Sequence, residues 1–338
     1  MKFLFLGAGV VGGTVGAWVA EHYDDVYFLD QGPVAEAMKK NGITTYLGDD
    51  PAKKVNVKVK LIDSLDEAGD IDVICLGVKN YSLEPVAKAI KEKLGDKPII
   101  ISMANGIDNQ RVLPKIFSKV VYCVISYNGW LDEPGLIGYQ KKGPIIIGTL
   151  KGELRGEMKE ISDIFNKGVE TVVTDHIQDA IHSKIVINLT NSVTTLLGPD
   201  FQKEPNRKLL QVLLSGTLYE GIEILKAAGY KECKLGGMPS WGLLWASWKL
   251  PRLITGPLFE KNVKKMVMSS MAQDVFKHGD GNTELNSING YIVELADKVN
   301  HKAPFNRAMY ELCKREFVKP DFKSVPIEDI WREVQSRM

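Results

Sequence analysis

Several things are scarce in this 338-residue chain, and each scarcity removes a class of function. Cysteine occurs four times, as Cys75, Cys123, Cys233 and Cys313, far apart and without a C-x-x-C pair. That spacing offers neither a disulfide framework nor a cysteine zinc site, and it reads as reduced, packed thiols in a cytoplasmic protein. No apolar run reaches the ~18 residues that span a bilayer. The strand expected from residue 2 leaves no room for a leader, so no membrane partner is expected. Net charge is almost missing too: 43 Lys plus Arg stand against 42 Asp plus Glu, a net of +1. With no block of like charge, no nucleic-acid partner is expected either. Internal repeats and low-complexity segments are absent, and no metal site is expected.

What is present begins at the second residue. Lys2-Phe-Leu-Phe-Leu6 runs into Gly7-Ala-Gly9-Val10-Val11-Gly12 and then into a helix-period stretch ending at Ala20. A Gly-x-Gly-x-x-Gly turn between a strand and a helix is the dinucleotide fingerprint in its proper context. Gly7 permits the tight turn, Gly9 the close approach of a pyrophosphate, and Gly12 the packing of helix on strand. The N–H groups and positive dipole of the helix start suit the phosphates, with Val10 and Val11 at that start. A second strand, Asp25-Val-Tyr-Phe-Leu29, ends at Asp30, where an acidic residue reaches adenosine ribose hydroxyls. A carboxylate there accepts from a free 2′-hydroxyl and repels a 2′-phosphate, and Gln31 follows in place of an arginine. NAD(H) is therefore favoured over NADP(H). The plainer reading of Asp30 is a solvated turn residue before Gly32-Pro33.

A chain of this length suggests two domains, and 44% hydrophobic residues with 25% charged can bury a sizeable core. Strand-like runs at 57–61, 72–76, 98–102, 119–126, 144–148 and 171–174 alternate with helical patterns in the first half. Near-continuous apolar strands of this kind predict an α/β, doubly wound, mostly parallel sheet of Rossmann type, covered on both faces. From about residue 175 the strand signals stop. Helix-length patterns at 177–197, 206–228, 259–276, 283–300 and 305–317 then predict an all-helical second domain. The expected division is 1–175 for the dinucleotide domain and 176–338 for the helical one.

Two loops follow strands where doubly wound folds bind ligands, one carrying Lys79 and the other Asn105. Either residue is also at home in an ordinary turn. In the second half, Lys184, Asn188 and Ser192 are spaced by four, a polar line on a helix that is otherwise apolar, with Asn191 beside it. Burial there lowers a lysine pKa and makes it a competent proton donor to a carbonyl oxygen. The alternative is a snorkelling lysine with asparagines bonded to nearby backbone. Ser270 and the segment Asn282-Thr283-Glu284 form a third group, for which helix capping is the plain explanation.

Together these motifs resemble those of the ketopantoate reductase family, the 2-dehydropantoate 2-reductases of pantothenate biosynthesis. The resemblance covers nearly the whole chain: the glycine motif, Val78-Lys79, Ala104-Asn105-Gly106, Glu133-Pro-Gly135, Ile147-Gly148, Lys184 to Asn188, Ser269 to Asp274, Thr283-Glu284 and Ile288-Asn289-Gly290. It implies Lys184 as proton donor, Glu284 and Asn188 as substrate-binding residues, and Ser270 and Ser192 beside them. It also implies Lys79 and Asn105 on the cofactor side, with Asn105 near the substrate. The implied reaction is hydride transfer to the C2 carbonyl of a small 2-oxo acid.

The chain departs from the family pattern in four places. The family's usual arginine after the second strand is replaced by Asp30-Gln31. Ser192 stands at the second substrate asparagine. Two extra residues separate Ser270 from Glu284. Gly236 to Pro251, with Trp241, Trp245 and Trp248, looks enlarged; its tryptophans suit a core, a subunit interface of a homodimer, or a lid over a larger substrate. An NAD-dependent D-2-hydroxyacid dehydrogenase of the same scaffold, acting on branched or aromatic 2-oxo acids, is the neighbouring alternative. A non-catalytic NAD-binding regulator is the more distant one, since a binding module needs no proton donor.

Overall fold

Residues 1–48, 50–278 and 283–338 are described in the computed structural model, apart from the side chains of Lys277 and His278. The chain divides into two units, Met1–Ala180 and Ile181–Met338. In the first unit the strands are β1 (Phe3–Leu6), β2 (Val26–Leu29), β3 (Ile43–Leu47), β4 (Lys54–Val57), β5 (Lys60–Leu61) and β6 (Val73–Leu76). They continue with β7 (Ile99–Ser102), β8 (Val120–Ile125), β9 (Gly129–Glu133), β10 (Leu136–Tyr139), β11 (Ile145–Gly148) and β12 (Thr171–Val173).

The main sheet has the order β12-β11-β8-β7-β6-β1-β2-β5. Every adjacent pair in it is parallel except β8 with β11. Such a sheet needs helices on both faces, and β1 shows why the sequence reads as it does: Phe3, Leu4 and Phe5, on alternating faces, are all fully buried. Phe5 stacks on Phe28 and on Phe165, which fills one face with aromatic area.

The Rossmann-type expectation therefore holds, with two additions. A second sheet of order β4-β3-β10-β9 meets the predicted strands only at Val57. Its β9–β10 hairpin turns at Pro134-Gly135, where Gly135 at φ 80° takes the position that requires a left-handed residue. The expected single strand at 57–61 is in fact two, because the chain changes sheets between Val57 and Lys60. Alternation of Val55, Val57, Val59 and Leu61 continues through the change, so no local signal marks it.

The second unit has no strand among its described residues. Its central helix is Arg207–Ala227, packed against Thr190–Leu197, Tyr291–Lys298, Pro304–Glu316 and Ile327–Gln335. Glu220 on that helix is buried, and its carboxylate accepts from the N–H groups of Phe305 and Asn306 at 3.0 and 2.7 Å, capping a neighbouring helix from outside. Three predicted helices are interrupted. The run at 177–197 pauses at Leu189, whose N–H is shared between the carbonyls of Ile185 and Val186. The run at 259–276 becomes the end of Arg252–Val263, a short helix Ser270–Gln273 and a π-turn Asp274–His278. The run at 283–300 opens with a second π-turn, Asn286–Gly290. Periodicity sees the faces of these helices but not the extra residue that a π-turn inserts. No helix among the described residues is long and apolar enough to cross a membrane.

Candidate active site

In the first unit the glycine turn, Asp30, Lys79 and Asn105 follow strands β1, β2, β6 and β7, which are parallel neighbours. All four groups therefore sit on one edge, at the carboxyl ends. Gly7 has φ 91°, the left-handed region that bends β1 sharply into the helix Val10–Ala20. A Cβ on Gly12 would lie 2.0 Å from the carbonyl oxygen of Gly7, so helix and turn pack too closely for any side chain. A Cβ on Gly9 would meet nothing within 4 Å. The protein itself thus does not demand glycine at position 9, and the space left over it is the cradle a pyrophosphate needs. Gly9 caps this helix without a side-chain bond, and no acid stands in the first turn, which leaves that end suited to an anion. These features fit a dinucleotide, with Val10 and Val11 half-buried beside it.

Asp30 is anchored to the same turn. Its carboxylate accepts from the N–H of Ala8 at 2.5 Å and from that of Gln31 at 2.7 Å. A carboxylate has about four acceptor positions, so two backbone bonds leave capacity for a ribose hydroxyl. In the helix Gly32–Asn41 that follows, the basic residues stand in the last turn, and Lys39 pairs with Asp63. Across the edge, the side-chain amide of Asn80 donates to the carbonyl of Asn105 at 2.6 Å, clasping the two loops that carry Lys79 and Asn105. Asn109 adds a bond to the carbonyl of Ala104 at 3.2 Å.

The second unit carries the titratable groups. Lys184 lies on the helix Ile177–Asn188 between Ser183 and Ile185, and it is only 8% exposed. Burial pushes its ammonium down to about 8, while the carboxylate of Glu284 pulls the other way. Glu284 is itself 5% exposed and stands just ahead of the π-turn Asn286–Gly290. Asn188, one turn beyond Lys184, is equally buried. A buried cation that feels the charge of a buried carboxylate, with an amide one turn along its helix, offers groups able to give a proton to an oxygen and to orient a hydroxyl.

Ser270 is the first residue of the helix Ser270–Gln273 and is half-buried. Its neighbour Ser269 is the N-cap, accepting from the N–H of Ala272 at 3.1 Å and lying 3.5 Å from the hydroxyl of Thr195. That contact joins the Ser270 helix to Thr190–Leu197. Ser192, expected as a substrate ligand, lies deep in the second unit. It is fully buried, its hydroxyl donates to the carbonyl of Leu189 at 2.7 Å, and it accepts from the amide of Asn289 at 3.0 Å. These two bonds use its hydrogen and one of its two acceptor positions. Asn282 lies outside the described residues.

The π-turn next to Glu284 is held from outside. The phenol of Tyr310 donates to the side chain of Asn286 at 2.9 Å, and the Tyr310 ring would touch a Cβ on Gly290 at 3.0 Å. Sequence reading missed Tyr310 and the bracing role of Asn289, because each partner lies far along the chain.

Comparison with known proteins agrees with both halves. The family profile described as "Ketopantoate reductase PanE/ApbA" matches residues 3–152, and that described as "Ketopantoate reductase PanE/ApbA C terminal" matches residues 176–316. The chain is 26% identical over 316 residues to a 2-dehydropantoate 2-reductase of Pyrococcus abyssi, covering 93% of this chain and 97% of that one. It is 28% identical over 321 residues to the uncharacterized oxidoreductase YkpB of Bacillus subtilis, covering 92% and 97%. Among solved structures, a PanE/ApbA family ketopantoate reductase from Ralstonia eutropha superposes with a TM-score of 0.74 at 20% identity, over 95% of this chain and 99% of that one. D-mandelate dehydrogenase with NADH and anilino(oxo)acetate superposes with a TM-score of 0.73 at 19% identity, over 94% and 98%. At these identities the structural likeness establishes the fold.

The burial of Lys184 has a consequence for stability. Its pKa is lower folded than unfolded, so the unfolded chain binds the extra proton between about pH 8 and the ordinary lysine value of 10.5. Stability contributed by this site therefore rises with pH through that window, by roughly 3 kcal/mol in all. Chemical unfolding of the wild type and of Lys184→Met at pH 7.5 and pH 10.5 isolates it. The difference between the two proteins should move by about that amount in favour of the wild type; a constant difference means that Lys184 ionises normally.

Proposed function

Because this chain belongs to the ketopantoate reductase family, oxidoreductases that act on a CH–OH group, we propose that it reduces a small 2-oxo acid to the 2-hydroxy acid, with ketopantoate as substrate and NADH as the preferred reductant. The observation that carries the reading is the pairing of Lys184 and Glu284, two buried groups of opposite charge in one unit. A cofactor bound at the glycine edge supplies the hydride that reaches C2 of the substrate. Lys184 gives its proton to the carbonyl oxygen as that oxygen gains charge, and its positive charge stabilises the alkoxide while it forms. Glu284 accepts a hydrogen bond from the distal hydroxyl of ketopantoate. Asn188 and Ser270 orient the substrate and its carboxylate, and Lys79 and Asn105 hold the cofactor side. Ser192 acts only from within, through Asn289.

Lys184→Ala should lower kcat by ~10²-fold or more with cofactor affinity preserved. Reduction by the wild type should be flat below pH 8 and fall above it, since Lys184 is protonated only below about 8. Near-normal turnover of the variant would remove Lys184 from the mechanism.

The preference for NADH rests on Asp30, whose charge opposes a 2′-phosphate and which no arginine follows. Replacing Asp30 by Ala and Gln31 by Arg together should raise the NADPH-to-NADH ratio of kcat/KM by ~10-fold or more, about 1.4 kcal/mol. An unchanged ratio would show that the adenosine end lies elsewhere.

A second reading, an NAD-dependent D-2-hydroxyacid dehydrogenase for branched or aromatic 2-oxo acids, draws support from Asp30, from the internal role of Ser192 and from the tryptophan-rich segment. Oxidation of NADH and of NADPH with ketopantoate and with a panel of such acids separates the readings. Turnover of ketopantoate alone supports the first, turnover of the others alone the second, and silence with all overturns both. The exposed side chains Leu253, Ile254 and Leu258 on the helix Arg252–Val263, with Trp245 nearby in sequence, support a homodimer through this face, which light scattering of Leu253→Glu against the wild type would test. The free thiols of all four cysteines suit a cytoplasmic setting.

A further inference from the structure

His182 lies two residues before Lys184 and is fully buried. Its imidazole stacks on the ring of Tyr230, with centroids 3.5 Å apart and planes at 17°. Its Nε2 is 2.7 Å from the phenol oxygen of Tyr291. Tyr291 opens the helix Tyr291–Lys298, directly after the π-turn that follows Glu284. At the far end of the Lys184 segment, the amide of Asn289 donates to Ser192 at 3.0 Å, and both of those residues are fully buried. One bond therefore reaches the Lys184 helix itself and the other reaches Thr190–Leu197, which continues it past Leu189. His182 and Ser192 are ten positions apart, on either side of the pause at Leu189, with Lys184 and Asn188 between them.

A single bond between two elements is a pivot, whereas two separated bonds fix the angle at which they cross. That angle sets the separation of Lys184 from Glu284, because each charged group is carried by one of the two segments. We propose that His182 and Asn289 are positioning residues, which through Tyr291 and Ser192 hold the Lys184 helix and the Glu284 turn at one crossing angle. The assignment rests on the catalytic reading of Lys184 and Glu284, and it can be read without substrate.

His182→Phe keeps a ring to stack on Tyr230 and deletes Nε2, while Tyr291→Phe deletes only the phenol oxygen. Each should lower kcat by ~10-fold with the Kd for NADH unchanged, and the two combined should do no more than either, since both remove one bond. Ser192→Ala removes the other bond and, combined with Tyr291→Phe, should exceed each single change. The titration of Lys184, followed by NMR of the intact protein with isotope-labelled lysine, should shift its midpoint by ~0.5 unit or more in these variants, because the spacing to Glu284 contributes to it. His182→Gln, which can still bond Tyr291, should restore the wild-type midpoint. If the 2-oxo acid reading is wrong, the wild type fails to turn over while the midpoint still shifts. An unmoved midpoint with unchanged kcat, or with only a lowered Tm, overturns the positioning role; should His182→Phe fail to fold, Tyr291→Phe decides alone.

Discussion

The second unit is built around the burial of one positive charge. Removing an ammonium from water is costly, and a partner carboxylate offsets that cost only if it is held close and is itself shielded. Lys184 and Glu284 are both shielded from water, and burial lowers the pKa of the lysine while the charge of Glu284 raises it. In the reaction proposed above, that residual cost is what keeps the proton transferable near neutral pH, since a fully compensated lysine would hold it. Much of the surrounding structure follows from that requirement. The π-turn after Glu284 is tied down by the bond from Tyr310 to Asn286 and the bond from Asn289 to Ser192.

The first unit meets a different constraint with different means. An anion must come close to backbone, so side chains are removed from its path and the helix start is left without an acidic residue. Asp30 is tied to this turn by its bonds to Ala8 and Gln31, and acceptor positions remain on its carboxylate. The two units thus divide the labour of the proposed reaction, one holding the reductant by backbone and the other presenting a proton by side chains.

How far this was legible in the sequence depended on the range of each interaction. The glycine turn, Asp30 and the parallel strands are encoded within about twenty-five residues, and they were found. Lys184, Asn188 and Glu284 were singled out by spacing and by family resemblance. Their burial matches the apolar helix on which the lysine was expected. The depth of Ser192 was not legible, because i, i+4 spacing gives a face but not the burial of each position on it. The small sheet of β4, β3, β10 and β9 was missed because it joins residues near 45 to residues near 137, and pairing across such distances leaves no periodic trace. His182 went unnoticed for the same reason, since Tyr291 lies 109 positions away.

The π-turn Asn286–Gly290 is in effect a helix with one residue too many. In an α-helix each residue advances the face by about 100°, so deleting a single residue there would turn everything before it by that amount relative to Tyr291–Lys298. Glu284 would then turn away from its present direction, with every side chain of the candidate site still present. The chemistry of this protein is therefore sensitive to length as much as to composition, and a sequence lacking one residue in this turn would keep the signature of the site and lose its register.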